Sequence, residues 1–172
     1  MSGEEPEVRK QPYIFPAILT FINFAVILPI GWMNMSYTVG FWDFFLVLIG
    51  CFLAYKFMKN ITRAHEYKEA RVKPDQQDEI VREGIYGQVR HPIAAGVLYM
   101  NIAYVCFFRT FALIPVLPVF FAFWYVLAKY KDTVLLRRFG DSYREYMQET
   151  GMFRGKGGAE TVRIQKSGYD MY

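Results

Sequence analysis

The run YIFPAILTFINFAVILPIGWM, Tyr13–Met33, decides the fold class. It carries no charge, and its 21 residues wound as an α-helix reach about 31 Å, the thickness of a bilayer's hydrocarbon core. Pro16 falls in its first turn, where a missing N–H costs little, and Pro29 falls near its end. No small-residue cleavage site follows, so the run reads as a membrane span and not as a signal peptide. Neither end of the chain carries a myristoylation or prenylation pattern.

Working outward, three more apolar runs follow: about 41–58, 92–108 and 111–128. The link Asn34–Gly40 is uncharged, and Arg109-Thr110 is a tight turn, so the four runs pair into two hairpins. The expected fold is all-α: a polytopic membrane protein of four transmembrane helices within one membrane domain, residues 1–154, followed by a glycine-containing flexible tail, 155–172. Amphipathic helices are expected over about 129–149. Tyr130, Val134, Leu135 and Phe139 recur at helical spacing, Gly140 suits a C′ stop, and Ser142-x-x-Glu145 has the form of a capping box.

Composition agrees with a membrane protein. Of 172 residues 53% are hydrophobic and 19% aromatic, yet 21% are charged, because charge and apolarity occupy separate blocks. The net charge is +4, and the basic residues flank the apolar runs. Such a distribution reads as topology and anionic-lipid contact, and no nucleic-acid-binding motif is present. The N-terminal tail has Arg9 and Lys10, the first link no Lys or Arg, the central segment 59–91 seven, the second turn Arg109 alone, and the chain from Lys129 onward nine. The positive-inside rule therefore places both termini and the central segment in the cytoplasm. The expected location is the plasma membrane in a prokaryote and the endoplasmic reticulum in a eukaryote. Cys51 and Cys106 lie within apolar runs and form no metal-binding pattern, so no metal site is expected.

Candidate chemistry gathers where the third and fourth runs emerge. Gly84-Ile85-Tyr86-Gly87-Gln88-Val89-Arg90-His91-Pro92 leads into the third run, and Pro92 suits the first helical position. A helix N-terminus with Arg90 and His91 beside it offers donors to a carboxylate or phosphate; the plainer alternative is a headgroup anchor and a cap. Asp132 lies at the mouth of the fourth run. Because the hairpin turn is short, Asp132 and His91 are expected to approach each other; the alternative is an exposed charge. Asn101, in mid-span, is expected to face the bundle, and Ala94, Ala95 and Gly96 permit close helix approach or leave a slot.

Taken together, Gly84-Ile85-Tyr86-x-x-x-Arg90-His91-Pro92, a helical hairpin, Asp132 seven residues before Phe139-Gly140, and Tyr143-x-x-Tyr146 resemble the isoprenylcysteine carboxyl methyltransferase and phospholipid methyltransferase family over about 80–153. The resemblance implies a membrane-embedded methyltransferase that uses S-adenosyl-L-methionine and acts on a membrane lipid or prenylated substrate at the cytosolic face. It implies that Arg90, His91, Pro92 and Asp132 bind the cofactor, with Tyr99 a looser match at a further aromatic contact. No catalytic residue is assigned: a carboxylate acceptor needs no general base, whereas an amine acceptor must first lose a proton and calls for one. Two positions depart from the pattern: Ala94 stands where the family has Tyr, and Lys131 replaces the first of two acidic residues. Loss of that charge beside a sulfonium weakens cofactor binding, so the alternative is an inactive family member acting as a membrane binding or scaffold protein. A membrane reductase using NADPH would be longer than four spans, and a small transporter would need ionisable mid-span groups where this chain offers Asn23 and Asn101.

Overall fold

The computed structural model describes residues 10–38 and 40–155. The flexible tail expected over 155–172 falls outside them except for Gly155. The described residues are helical and contain no strand: α1 Phe15–Met33, α2 Asp43–His65, α3 Pro92–Phe108, α4 Val116–Phe139 and α5 Asp141–Glu149, with short 3-10 turns at Glu69–Arg71, Pro74–Gln76, Gly84–Gly87 and Phe111–Leu113. Three stretches, α1, α2 and 111–139, are long and apolar enough to cross a membrane, and α3 is a shorter apolar helix of 17 residues.

The outer surface is apolar in a way that water does not tolerate. Phe21 is 74% exposed, Trp42 74%, Phe44 64% and Val126 64%. The interior holds apolar side chains such as Ile27, Leu113 and Trp124 together with small and polar groups. Asn23 and Asn101 are buried and exchange two side-chain hydrogen bonds, at 2.7 and 2.9 Å, which ties α1 to α3 in mid-bundle. This arrangement suits a lipid-facing bundle, whose helices associate through close packing and internal hydrogen bonds.

Both hairpin turns lie at one end. Ser36 N–H donates to Phe108 O at 3.1 Å, and the Arg109 guanidinium bonds Ser36 O, Thr38 O at 2.9 Å and Asp43 Oδ2 at 3.3 Å. Arg109 takes the left-handed conformation, φ +50°, to reverse the chain. At the other end residues 11–13 pair with 71–73: Tyr13 N–H donates to Arg71 O at 2.8 Å and Lys73 N–H to Gln11 O at 3.0 Å. The start of α1, the segment between α2 and α3, and α5 therefore share that end.

Two helices run past the apolar stretches legible in the sequence, and one expected cap does not form. The helix α2 does not stop near residue 58 but runs to His65, because Asn60 and Ala64 continue its buried face while Thr62 and Arg63 point outward. The last apolar run and the amphipathic stretch after it are one continuous helix to Phe139. The capping box does not form: α5 starts at Asp141 behind Gly140, which turns at φ +56°, and no side chain caps it.

The small residues of α3 serve two neighbours. Gly96 faces α2, where a Cβ would sit 3.3 Å from both Phe57 O and the Asn60 Cβ. Ala94 faces a cavity and packs with Val97 and Trp124.

Candidate functional site: a cavity between α1, α2, α3 and α4

Pro92 fixes where α3 begins, and it holds His91 outside the helix in a non-helical conformation, φ −122° and ψ 66°. The His91 ring does not cap α3. Its Nε2 lies 2.8 Å from Asp132 Oδ1, across 41 residues of chain. Asp132 arrives on α4 and is 3% exposed. Tyr143 of α5 donates its hydroxyl to the same Oδ1 at 2.7 Å, and Arg90 Nη2 stands 3.6 Å from Oδ2. The exposed-charge reading of Asp132 is thereby excluded.

Burial pushes the His91 pKa down, against the opposing pull of the Asp132 carboxylate. A neutral His91 donates from Nε2 to Asp132 and leaves Nδ1 as an acceptor, with no partner among the described residues. Burial, and then the neighbouring carboxylate, push the Tyr143 hydroxyl far up, so it remains a donor at all working pH.

Arg90 is fastened on its far side. Its Nη1 donates to Met147 O at 2.9 Å and Thr150 O at 2.5 Å, which gathers the carbonyls at the C-terminus of α5. The chain after α5 then lies along the entry to α3: Arg90 N–H donates to Gly151 O at 2.9 Å and His91 N–H to Met152 O at 3.1 Å. Phe153 ends this strap beside the His91 ring, with centroids 6.2 Å apart. The expected open helix terminus is thus largely closed, since His91 has spent its N–H and Pro92 has none. Tyr146 completes the frame by donating to Tyr86 O at 2.7 Å. The Tyr143-x-x-Tyr146 pair therefore positions the two halves of the site: one hydroxyl holds the carboxylate, the other holds the loop before Arg90.

Beside this frame is a cavity of about 640 Å3. At the helix ends its wall carries Tyr13, His65, Arg71, Arg90, His91 and Lys131. Deeper in the bundle it carries Phe24, Phe57, Trp124 and Leu127. Phe24 lies nine residues beyond the start of α1, about 14 Å along the axis. Two wall residues, Ile14 just before α1 and Phe21 on it, are 58% and 74% exposed, so the cavity is open along that side. Several buried polar atoms on its wall have no hydrogen-bond partner: Tyr13 Oη, Arg71 Nε, Arg90 Nε and Trp124 Nε1.

Of the residues singled out from the sequence, Arg90, His91 and Pro92 line the cavity. Asp132 does not; it stands behind His91 with Oδ1 engaged by His91 and Tyr143 and Oδ2 facing Arg90. Tyr99 is not brought to the site: it is absent from the wall, and its ring lies 5.4 Å from Lys56 Nζ of α2. His91 is not the only histidine there, because the extension of α2 brings His65 to the wall. Tyr13, Arg71 and Trp124 were missed, and Lys131 was seen only as a departure. Arg71 and Tyr13 carry no local signal, since the pairing of 11–13 with 71–73 places them.

No protein-family model matches the chain, and no curated protein is significantly similar to it.

Proposed function

We propose that this chain is a membrane-embedded S-adenosyl-L-methionine-dependent methyltransferase that acts on a lipid or prenylcysteine headgroup at the cytosolic face, with four spans and α5 on that face. The observation that carries the proposal is the His91–Asp132 contact on a cavity reaching from polar helix ends into an apolar interior. The two segments that resemble the methyltransferase family meet there, although 41 residues separate them.

The wall suits such a cofactor. Arg90 Nε is a buried donor without a partner, and His91 Nδ1 is an acceptor without one among the described residues; together they offer one contact to a carboxylate and one to an ammonium or hydroxyl. The rings of Phe24, Phe57 and Trp124 supply π faces to a cation. When bound, the cofactor supplies a methyl group on a sulfonium, which leaves as a neutral thioether. Asp132 and Tyr143 fix the ring of His91, and the apolar wall excludes water, so catalysis is alignment in a dry pocket. An acceptor carboxylate is already ionised and calls for no base. The open side at Ile14 and Phe21 lets a lipid acceptor enter from the bilayer with its tail still among the helices.

A second reading, a lipid-binding protein without catalysis, is favoured by one observation. No carboxylate is among the cavity-lining residues, and Arg71, Arg90 and Lys131 are, so a cationic methyl donor meets a positive wall. Incubation with radiolabelled methyl donor and a native lipid extract separates the two. The methyltransferase reading expects label in one extractable lipid or prenylated product, lost in His91→Ala. The absence of labelled product from well-folded protein that binds lipid supports the second reading.

A further inference from the structure

Two partly buried cations on the cavity wall, Arg71 and Lys131, differ from the ion-paired cations near that end of the bundle. Lys10 pairs with Glu69 and Asp78, Arg82 with Glu145 and Glu149, Arg138 with Asp78, Arg144 with Asp141, and Arg90 with Asp132. Arg71 and Lys131 are partly buried on the wall, and neither has a carboxylate within 4.0 Å among the described residues. Lys131 Nζ makes one hydrogen bond, to Ala70 O at 2.8 Å, and the Arg71 side chain makes none with the described residues, its Nε being buried.

That bond sets Lys131 against the residue that directly precedes Arg71. Each cation sheds hydration at the wall with no carboxylate to compensate it. An anion held by both offsets that cost. The groups needed are donors, and the wall adds more of them: the Tyr13 hydroxyl and, deeper, the indole N–H of Trp124, which is 1% exposed and unpartnered. Below this cluster the wall is apolar, and its open side faces outward through Ile14 and Phe21.

We propose that Arg71 and Lys131 form an anion site for the phosphate or carboxylate headgroup of a membrane amphiphile, whose tail lies along Phe24, Phe57 and Trp124. Charge complementarity selects the head, and the apolar wall selects the tail. The proposal holds whether or not a methyl group is transferred in the cavity, and the experiment below contains no methyl donor.

The test uses the full chain in phosphatidylcholine nanodiscs, with Trp32→Phe and Trp42→Phe leaving Trp124 as the one tryptophan of the chain. The probe is 11-bromoundecyl phosphate, whose bromine quenches a tryptophan it touches, and the comparison is 11-bromoundecanol. Half-quenching is expected at a tenfold or more lower mole fraction of the phosphate than of the alcohol. Lys131→Gln and Arg71→Gln each shrink that ratio towards one, whereas Lys131→Arg keeps it. If Lys131→Gln fails to fold, Arg71→Gln gives the reading. Equal quenching by phosphate and alcohol, or a preference that survives in the double variant, overturns the site. Displacement of the probe by an equal concentration of inorganic phosphate overturns the amphiphile and leaves a free-anion site.

Discussion

His91 Nε2 and Asp132 Oδ1 lie 2.8 Å apart at the point where α3 and α4 emerge from the bundle. The ends of α3, α4 and α5 beside the cavity meet at this contact. Asp132 is buried and accepts from His91 and Tyr143, with Arg90 opposite its second oxygen. It thereby joins α3, α4 and α5. A carboxylate used this way sets the orientation of His91 and does not line the cavity.

Removal of that carboxylate therefore costs more than one hydrogen bond. Asp132→Asn leaves Arg90 buried without a counter-charge, and breaking a buried pair in this way costs about 3–5 kcal/mol. Thermal unfolding of the purified chain in detergent is expected to show a clear fall in Tm for Asp132→Asn. The fall for Tyr143→Phe is expected to be smaller, since a bond to a charged group contributes about 1.5–3 kcal/mol.

Acidification should loosen the same site. Burial holds the folded-state pKa of His91 below its ordinary value of 6.5. The unfolded chain then binds more protons than the folded chain as the pH falls below 6.5, so stability is full above that pH and declines towards the folded pKa. The limiting slope for one such group is about 1.4 kcal/mol per pH unit. Tm measured from pH 7.5 down to pH 5 is expected to fall, and His91→Asn is expected to flatten the curve. A curve unchanged in His91→Asn assigns the titration to another group.

The paired amides in mid-bundle give a double-mutant cycle. Asn101→Leu leaves the Asn23 amide without its partner in an apolar interior, and the expected loss is about 1–2 kcal/mol. The double variant Asn23→Leu/Asn101→Leu is expected to recover much of it, because no unpaired amide remains. Resistance to unfolding in graded denaturing detergent measures all three variants.

Membrane orientation can be read from accessibility. In a background with Cys51 and Cys106 changed to Ser, Tyr37→Cys lies at the end of the two hairpin turns and Asp75→Cys at the cavity end. An impermeant maleimide applied to intact cells is expected to label Tyr37→Cys and to label Asp75→Cys only after permeabilisation. Labelling of both before permeabilisation contradicts four spans with a cytosolic cavity.

What the sequence made legible follows physical locality. Pro92 marks the start of α3 because proline acts on its own position. Asn101 declared itself because a mid-span amide has nowhere to go but inward. The end of α2 was obscured because hydropathy falls after Met58 while the helix continues, its buried face carried by Asn60 and Ala64 alone. Ser142 and Glu145 imitate a cap, yet Gly140 leaves the preceding helix at φ +56° and the next one starts at Asp141, before the serine acts. The approach of His91 to Asp132 was foreseeable, since a short hairpin returns one beside the other. The approach of Tyr13 and Arg71 was not, since it depends on a pairing between segments about sixty residues apart.

Binding of S-adenosyl-L-methionine in the cavity beside His91 is read by an equilibrium titration of this compound and of S-adenosylhomocysteine against the chain in nanodiscs. Saturable binding in the micromolar range is expected, weakened about tenfold or more in His91→Ala, which corresponds to about 1.4 kcal/mol. Absence of binding of either compound to folded protein, or equal affinity in wild type and His91→Ala, contradicts the proposal.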